Sequence, residues 1–197
     1  DYFDELTSRL QDIRTSERRF YQKITDIYAT SVDYDASAEL TQAFFATVQN
    51  KVHFAIHGHT AAELVKLRAD STKPQMGMTH WPGERIRKSD VVVAKNYLNE
   101  EELLALNNLI EQYLVFAEGQ AARRVAMTMQ AWVDKLEGFL SLNDREILQS
   151  AGQVSAELAK QHAEDEFAKY RVLENARFES DFDRMVELLP APKGKPA

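Results

Sequence analysis

Three histidines and a glutamate fall close together in this chain: His53, His57, His59 and Glu63. At about 100° per residue in a helix, Gln49, Asn50, His53, His57 and Thr60 share one face, and the rings of His53 and His57 stand one turn apart. His59 points to another face. It precedes Glu63 by four residues, the spacing at which a carboxylate sets an imidazole tautomer and raises its basicity. The chemistry these residues suit is general acid–base catalysis, with His57 or His59 as acid or base, Glu63 orienting it, and Gln49, Asn50 and Arg68 holding a substrate. His53 and His57 also have the spacing of a helical site for a divalent metal. Phe54, however, stands where zinc-hydrolase helices carry Glu. The structural alternative is a set of core histidines hydrogen-bonded across a bundle. Gly58 lies between the two histidine faces, and the close approach of a neighbour or ligand would explain a glycine there.

The elements that must position these residues read as helices throughout. The 197 residues include only 7 Gly and 5 Pro, and no period-two pattern stands out. From Tyr2 to about Thr30, apolar residues recur at spacings of three and four (Phe3, Leu6, Leu10, Ile13, Phe20, Ile24, Ile27), with Glu17 the one charged member of the seam. This predicts one long first helix with a seam for a partner helix. Ser37 is a candidate cap for a second helix from about Ala38 to Leu67. That helix is apolar on nearly all sides and belongs in the middle of a bundle, so its polar groups must find partners. Residues 69–88, with Pro74, Gly77, Pro82, Gly83, two methionines and Trp81, form a long irregular loop suited to cover the bundle. Ser89 or Asp90 is a cap for a short helix at 91–98. Asn99 caps a longer one, Thr128 another, and Asn143 a last long helix. Residues 190–197 read as a disordered tail. The expected fold is therefore all-α, a single domain over 1–189 with about five to six helices, a long first helix and a buried central histidine helix.

Composition limits the function. The net charge is −7, which disfavours general binding to nucleic-acid backbone. Two local basic clusters remain, Arg14/Arg18/Arg19 and Arg85/Arg87/Lys88. No apolar run suits a membrane span. With no cysteine, disulfides and thiolate metal sites are excluded, and a cytoplasmic location fits. The chain starts at Asp1 without Met, as a piece of a longer protein would.

Three strings carry a resemblance: Ser16 to Ile24, Val48 to Glu63, and Lys95 to Leu103. They resemble the RhuM family of bacterial virulence-associated proteins, and the likeness runs from Tyr2 to about Arg184. The resemblance implies the C-terminal domain of a larger protein with an upstream region similar to a phage-type DNA-binding domain, and a toxin, defence or regulatory role. Two functions follow as expectations. One is an effector that hydrolyses a phosphodiester or nucleotide bond, with or without a divalent metal. The other is a non-catalytic dimerisation and partner-binding domain, paired through the first helix. The first is favoured because a purely structural bundle has little reason to place so many polar groups on its most apolar helix.

Overall fold

A computed structural model describes residues 1–15, 20–36 and 39–188; side chains at 12–15, 20, 21, 24, 40 and 179–182 are outside the description. Glu17, Arg18, Arg19, Ser37 and the 190–197 tail therefore lie outside the described residues. Within them are seven α-helices and no strand, as the all-α expectation required: α1 Tyr2–Thr15, α2 Phe20–Tyr28, α3 Glu39–His57, α4 Ala61–Arg68, α5 Glu100–Ala122, α6 Met129–Leu142 and α7 Ala156–Leu188. Two 3-10 turns, Pro74–Gly77 and Ala94–Tyr97, punctuate the region between α4 and α5.

The expected long first helix is instead two helices that double back. A continuous helix would hold Tyr2 and Thr30 about 42 Å apart, yet the Tyr2 hydroxyl lies 3.5 Å from the Thr30 carbonyl oxygen. Both helices pack on α5. Leu6, Leu10 and Ile27 of the expected seam are buried in the chain's own core, so their apolar spacing serves α5. Asp1 clamps the start of α1 to Arg124, just beyond α5, at 2.5 Å.

α5 is the hub. Its inward stripe includes Leu106, Ile110, Tyr113, Leu114 and Ala117, and α1, α2 and α3 pack on it. The Tyr113 hydroxyl donates to the Trp132 carbonyl on α6 at 2.5 Å. The Thr128 side chain accepts from Ala131 N–H, capping α6, while Asp33 accepts from Met129 N–H at 2.8 Å and so ties the α2–α3 turn to the same helix start.

Three further boundaries differ from expectation. The short helix at 91–98 is only the 3-10 turn Ala94–Tyr97, held by Asn96 donating to the Asp90 carbonyl and by the Tyr97 hydroxyl donating to the Val91 carbonyl. Asn143 ends α6 rather than starting a helix, and Ser155 Oγ accepts from Leu158 N–H to start α7. The segment between them is irregular, with Ile147 and Val154 packed against the core. The expected second helix breaks after His57. Gly58 has φ +78°, and its N–H bonds the Phe54 carbonyl at 2.8 Å. A Cβ added there would meet nothing within 4 Å. Backbone conformation, and not close approach, is thus the reason for this glycine.

In the 69–88 loop, Met76 and Met78 are core residues and Trp81 packs against the core. Lys88 of the second basic cluster pairs with Glu164 at 3.2 Å. No helix among the described residues is long and apolar enough to cross a membrane.

The glycine assignment makes opposite predictions at two sites. Gly58→Ala should lower stability by about 1–2 kcal/mol, because an L-residue is strained in the left-handed region. Gly138→Ala, inside α6 with open space around it, should raise stability by about 0.5–1 kcal/mol. Urea denaturation of the two variants checks both signs.

Candidate functional site

The histidine region is a helix–turn–helix corner. α3 carries Asn50, His53 and His57 up to the Gly58 break, and the chain restarts as α4 at Thr60. The Thr60 side chain accepts from Glu63 N–H at 3.2 Å, and Glu63 Oε2 accepts from Thr60 N–H at 2.8 Å. This reciprocal pair is a capping box. Asn50 Oδ1 accepts from Ala61 N–H at 3.2 Å, closing another of the unpaired amides of the first turn. Glu63 Oε1 accepts from Gln153 N–H at 2.7 Å, so the glutamate also fastens the α6–α7 segment against α4. Gly152 permits that approach: a Cβ there would lie 2.6 Å from Thr60 Cγ2.

The corner brings the three histidines together, contrary to the expectation that His59 would face elsewhere. His53 Nδ1 and His57 Nε2 are 2.9 Å apart and share a hydrogen bond. The His59 ring stacks on that of His57 with centroids 6.1 Å apart and planes at 25°. His59 Nδ1 is 4.0 Å from Glu63 Oε2, beyond hydrogen-bond reach. Glu63 therefore spends both oxygens on backbone amides and does not orient His59. Burial raises its carboxyl, but the Gln153 and Thr60 N–H bonds outweigh this and leave it below the usual range.

The histidine pair is held neutral. Burial, and then the charge His57 would carry, push His53 down to about 3. Burial also pushes His57 down to about 4; Glu102 opposes this, while Arg68 and His59 add to it. His57 Nδ1 is buried with no hydrogen-bond partner among the described residues. The tautomer in which His57 Nε2–H donates to His53 leaves Nδ1 as a bare lone pair, the cheaper group to leave unpaired.

Arg68 ends α4 in a closed bidentate pair. Its two Nη atoms donate to Glu102 Oε2 and Oε1, both at 2.6 Å, and Nη1 also donates to the Tyr97 carbonyl at 2.7 Å. Glu102 Oε2 in turn accepts from Asn99 N–H at 2.9 Å in the capping box that starts α5. The Arg68 guanidinium holds the Glu102 carboxyl below the usual range. Asp70, two residues beyond Arg68, accepts from the Thr72 N–H and hydroxyl.

Among the described residues no group of three or more His, Asp or Glu is placed to hold a metal ion. The facing nitrogens of His53 and His57, the two ligands expected from spacing, are occupied with each other.

A cavity of about 370 Å³ opens beside His53, where α3, α4, the 3-10 turn before α5 and the first turns of α7 meet. Gln49 and His53 line it, as do Lys95, Lys160 and several alanines; His57, His59, Glu63, Asn50 and Arg68 do not. Sequence reasoning missed Glu102 as the partner of Arg68, and Lys160 as a cavity residue. Thr60-Ala61-Ala62-Glu63 has the spacing of a capping box and was the available signal for the corner.

These features define an all-helical protein built on a central helix, with the neutral His53–His57 pair at a helix corner beside an open cavity. The chain belongs to the Virulence protein RhuM family, whose family model matches residues 1–178. No curated protein and no solved structure matches the chain.

Two measurements test this assignment of the site. In the unfolded chain both histidines titrate near 6.5, and in the folded protein far below. As pH falls under about 6.5 the unfolded state takes up protons that the folded state refuses. Stability is therefore fully present above that pH and is lost progressively down to about 4 for His57 and about 3 for His53. The urea midpoint should fall through this window, and His53→Gln combined with His57→Gln should flatten the profile. Separately, Arg68→Ala should cost on the order of 2 kcal/mol in chemical denaturation. A quarter of the Arg68 side chain stays exposed, at 27%, which keeps the loss below that of a sealed pair. Arg68→Lys should recover only part of it, since an ammonium cannot form the fork.

Proposed function

We propose that this RhuM-family chain is a non-catalytic interaction domain that pairs with a second copy through the distal half of α7. The observation that carries the reading is the exposure of that half. Every described side chain from Arg171 to Leu188 is exposed, including Val172 at 69%, Phe178 at 74% and Leu188 at 83%. Eighteen residues of helix extend about 27 Å. An isolated helix of this length is marginal in water, because helices in proteins draw most of their stability from packing.

The sequence of this half is complementary to itself. Tyr170, Glu174, Arg177, Arg184 and Leu188 fall on one face at the three-and-four spacing of helix pairs. In an antiparallel pair with Tyr170 opposite Leu188, Leu173 stands opposite Met185 and Glu174 opposite Arg184. A two-fold interface repeats each of these contacts. Pairing of this kind would hold any DNA-binding region joined to the chain in dimeric form. The first-helix seam offers less, since its described apolar residues already cover α5.

A hydrolytic role draws less support from the geometry. His57, held near 4, is a weak base at neutral pH. Glu63, Asn50 and Arg68 are each committed to bonds that build the corner, and a divalent metal would have to break the His53–His57 bond to use both rings.

Mass in solution tests the proposal. The 197-residue chain should sediment as a dimer. Glu174→Arg alone and Arg184→Glu alone each place like charges opposite one another, and each should raise the dissociation constant at least tenfold. The double variant restores opposite charges and should restore the dimer. These residues are ten positions apart on one helix, so rescue reports a contact between copies. A monomeric parent chain, or a double variant no tighter than the singles, overturns the reading.

A further inference from the structure

We infer that the cavity beside His53 is a binding site for a small organic anion with an apolar body, carrying a carboxylate or phosphate head. The cavity volume of about 370 Å³ lies within the range of ligand sites. At roughly 30 Å³ per water-sized group it holds on the order of ten heavy atoms. Protein interiors are close-packed, and this hollow exists because short side chains meet there. Ala61 and Ala62 come from α4, and Ala156 and Ala159 from α7.

The charge of the lining sets the sign of the ligand. The chain carries 31 acidic against 24 basic residues, yet among the described residues no Asp or Glu lines the cavity, and its two charged liners are Lys95 and Lys160. The first turn of α7 adds its positive helix end on the same side, at Ala156. A cation would meet basic liners and no acidic one, whereas an anionic head finds the Lys160 ammonium at the rim.

The remaining lining describes the body. Val65 and the alanines give apolar walls. Gln49 supplies an uncharged hydrogen-bonding group on the α3 side, and His53, only 2% exposed, forms the wall beside it. The body is therefore uncharged and mainly apolar, with room for one polar atom near Gln49. None of the groups assigned to the corner's capping is needed for this site.

The test is a titration of the isotope-labelled chain with benzoate, phenyl phosphate, benzyl alcohol and acetate, followed by amide chemical shifts. Benzoate or phenyl phosphate should shift Ala61, Ala62, Val65 and Ala159 saturably, and the tighter of the two identifies the head group. Benzyl alcohol, lacking the charge, and acetate, lacking the body, should each bind at least tenfold more weakly. Lys160→Glu should weaken the preferred anion at least fivefold while leaving the urea midpoint unchanged. Ala62→Leu should abolish binding by filling the cavity. Ala156→Leu, at an exposed first-turn position, does the same should the Ala62 variant not fold. Absence of saturable shifts with both anions, or benzyl alcohol binding as tightly as they do, overturns the inference. So does a folded cavity-filling variant that binds undiminished.

Discussion

The Arg68–Glu102 fork is the contact on which the arrangement of the site depends. Arg68 is the last residue of α4 and Glu102 lies in the first turn of α5, so one bidentate pair joins the end of the histidine corner to the start of the central helix. Glu102 also closes the capping box with Asn99, and Arg68 also holds the Tyr97 carbonyl. The pair thus fixes the direction in which α5 leaves the corner, and α5 is the surface that α1, α2 and α3 pack against. Its charges also reach the histidines. Glu102 favours a charged His57 and Arg68 disfavours it, so the near-neutral pair leaves burial to decide, and the ring stays unprotonated.

Glu63 has a comparable role at the start of α4. A carboxylate anchored by the Thr60 and Gln153 amides is held in place by them, and the His59 ring lies 4.0 Å away, out of hydrogen-bond reach. An acidic residue four after a histidine is often read as its orienting partner. Here the backbone competes for the same oxygens and wins, because an unpaired amide at a part-buried helix start costs more than a weakened contact with a half-exposed imidazole. The three histidines are brought together by the glycine break and not by their carboxylate.

Much of the architecture was legible in the sequence. Helical periodicity, the caps at Asn99 and Thr128, and the Pro/Gly-rich interval after Arg68 each have a local cause, and each is found in place. The misreadings share a different cause. Apolar residues continue on both sides of Gly58, so the hydrophobic pattern passes over a break that only the glycine and the Thr60–Glu63 spacing mark. Leu6, Leu10 and Ile27 have the spacing of a seam, but periodicity does not say which helix fills it. Asn143 and Ser155 are both good caps, and the choice between them rests on tertiary packing of Ile147 and Val154. The cavity had no sequence signal at all. Its alanines are ordinary helix formers, and the hollow arises only where residues some ninety positions apart are placed face to face.

α7 is one helix with two very different halves. Its first turns line the cavity and pack on α4, and its last turns lie free of the core. Thirty-three residues make a rod of about 50 Å, with no glycine or proline to absorb bending. Such a rod is a lever with its fulcrum where Ala159 and Ala163 are buried against the bundle. A tilt of about 5° at that fulcrum sweeps the far tip through roughly 3 Å, given the length beyond it. Small adjustments at the short arm are magnified at the long one, so how firmly α4 grips the first turns of the rod determines how precisely the tip is aimed.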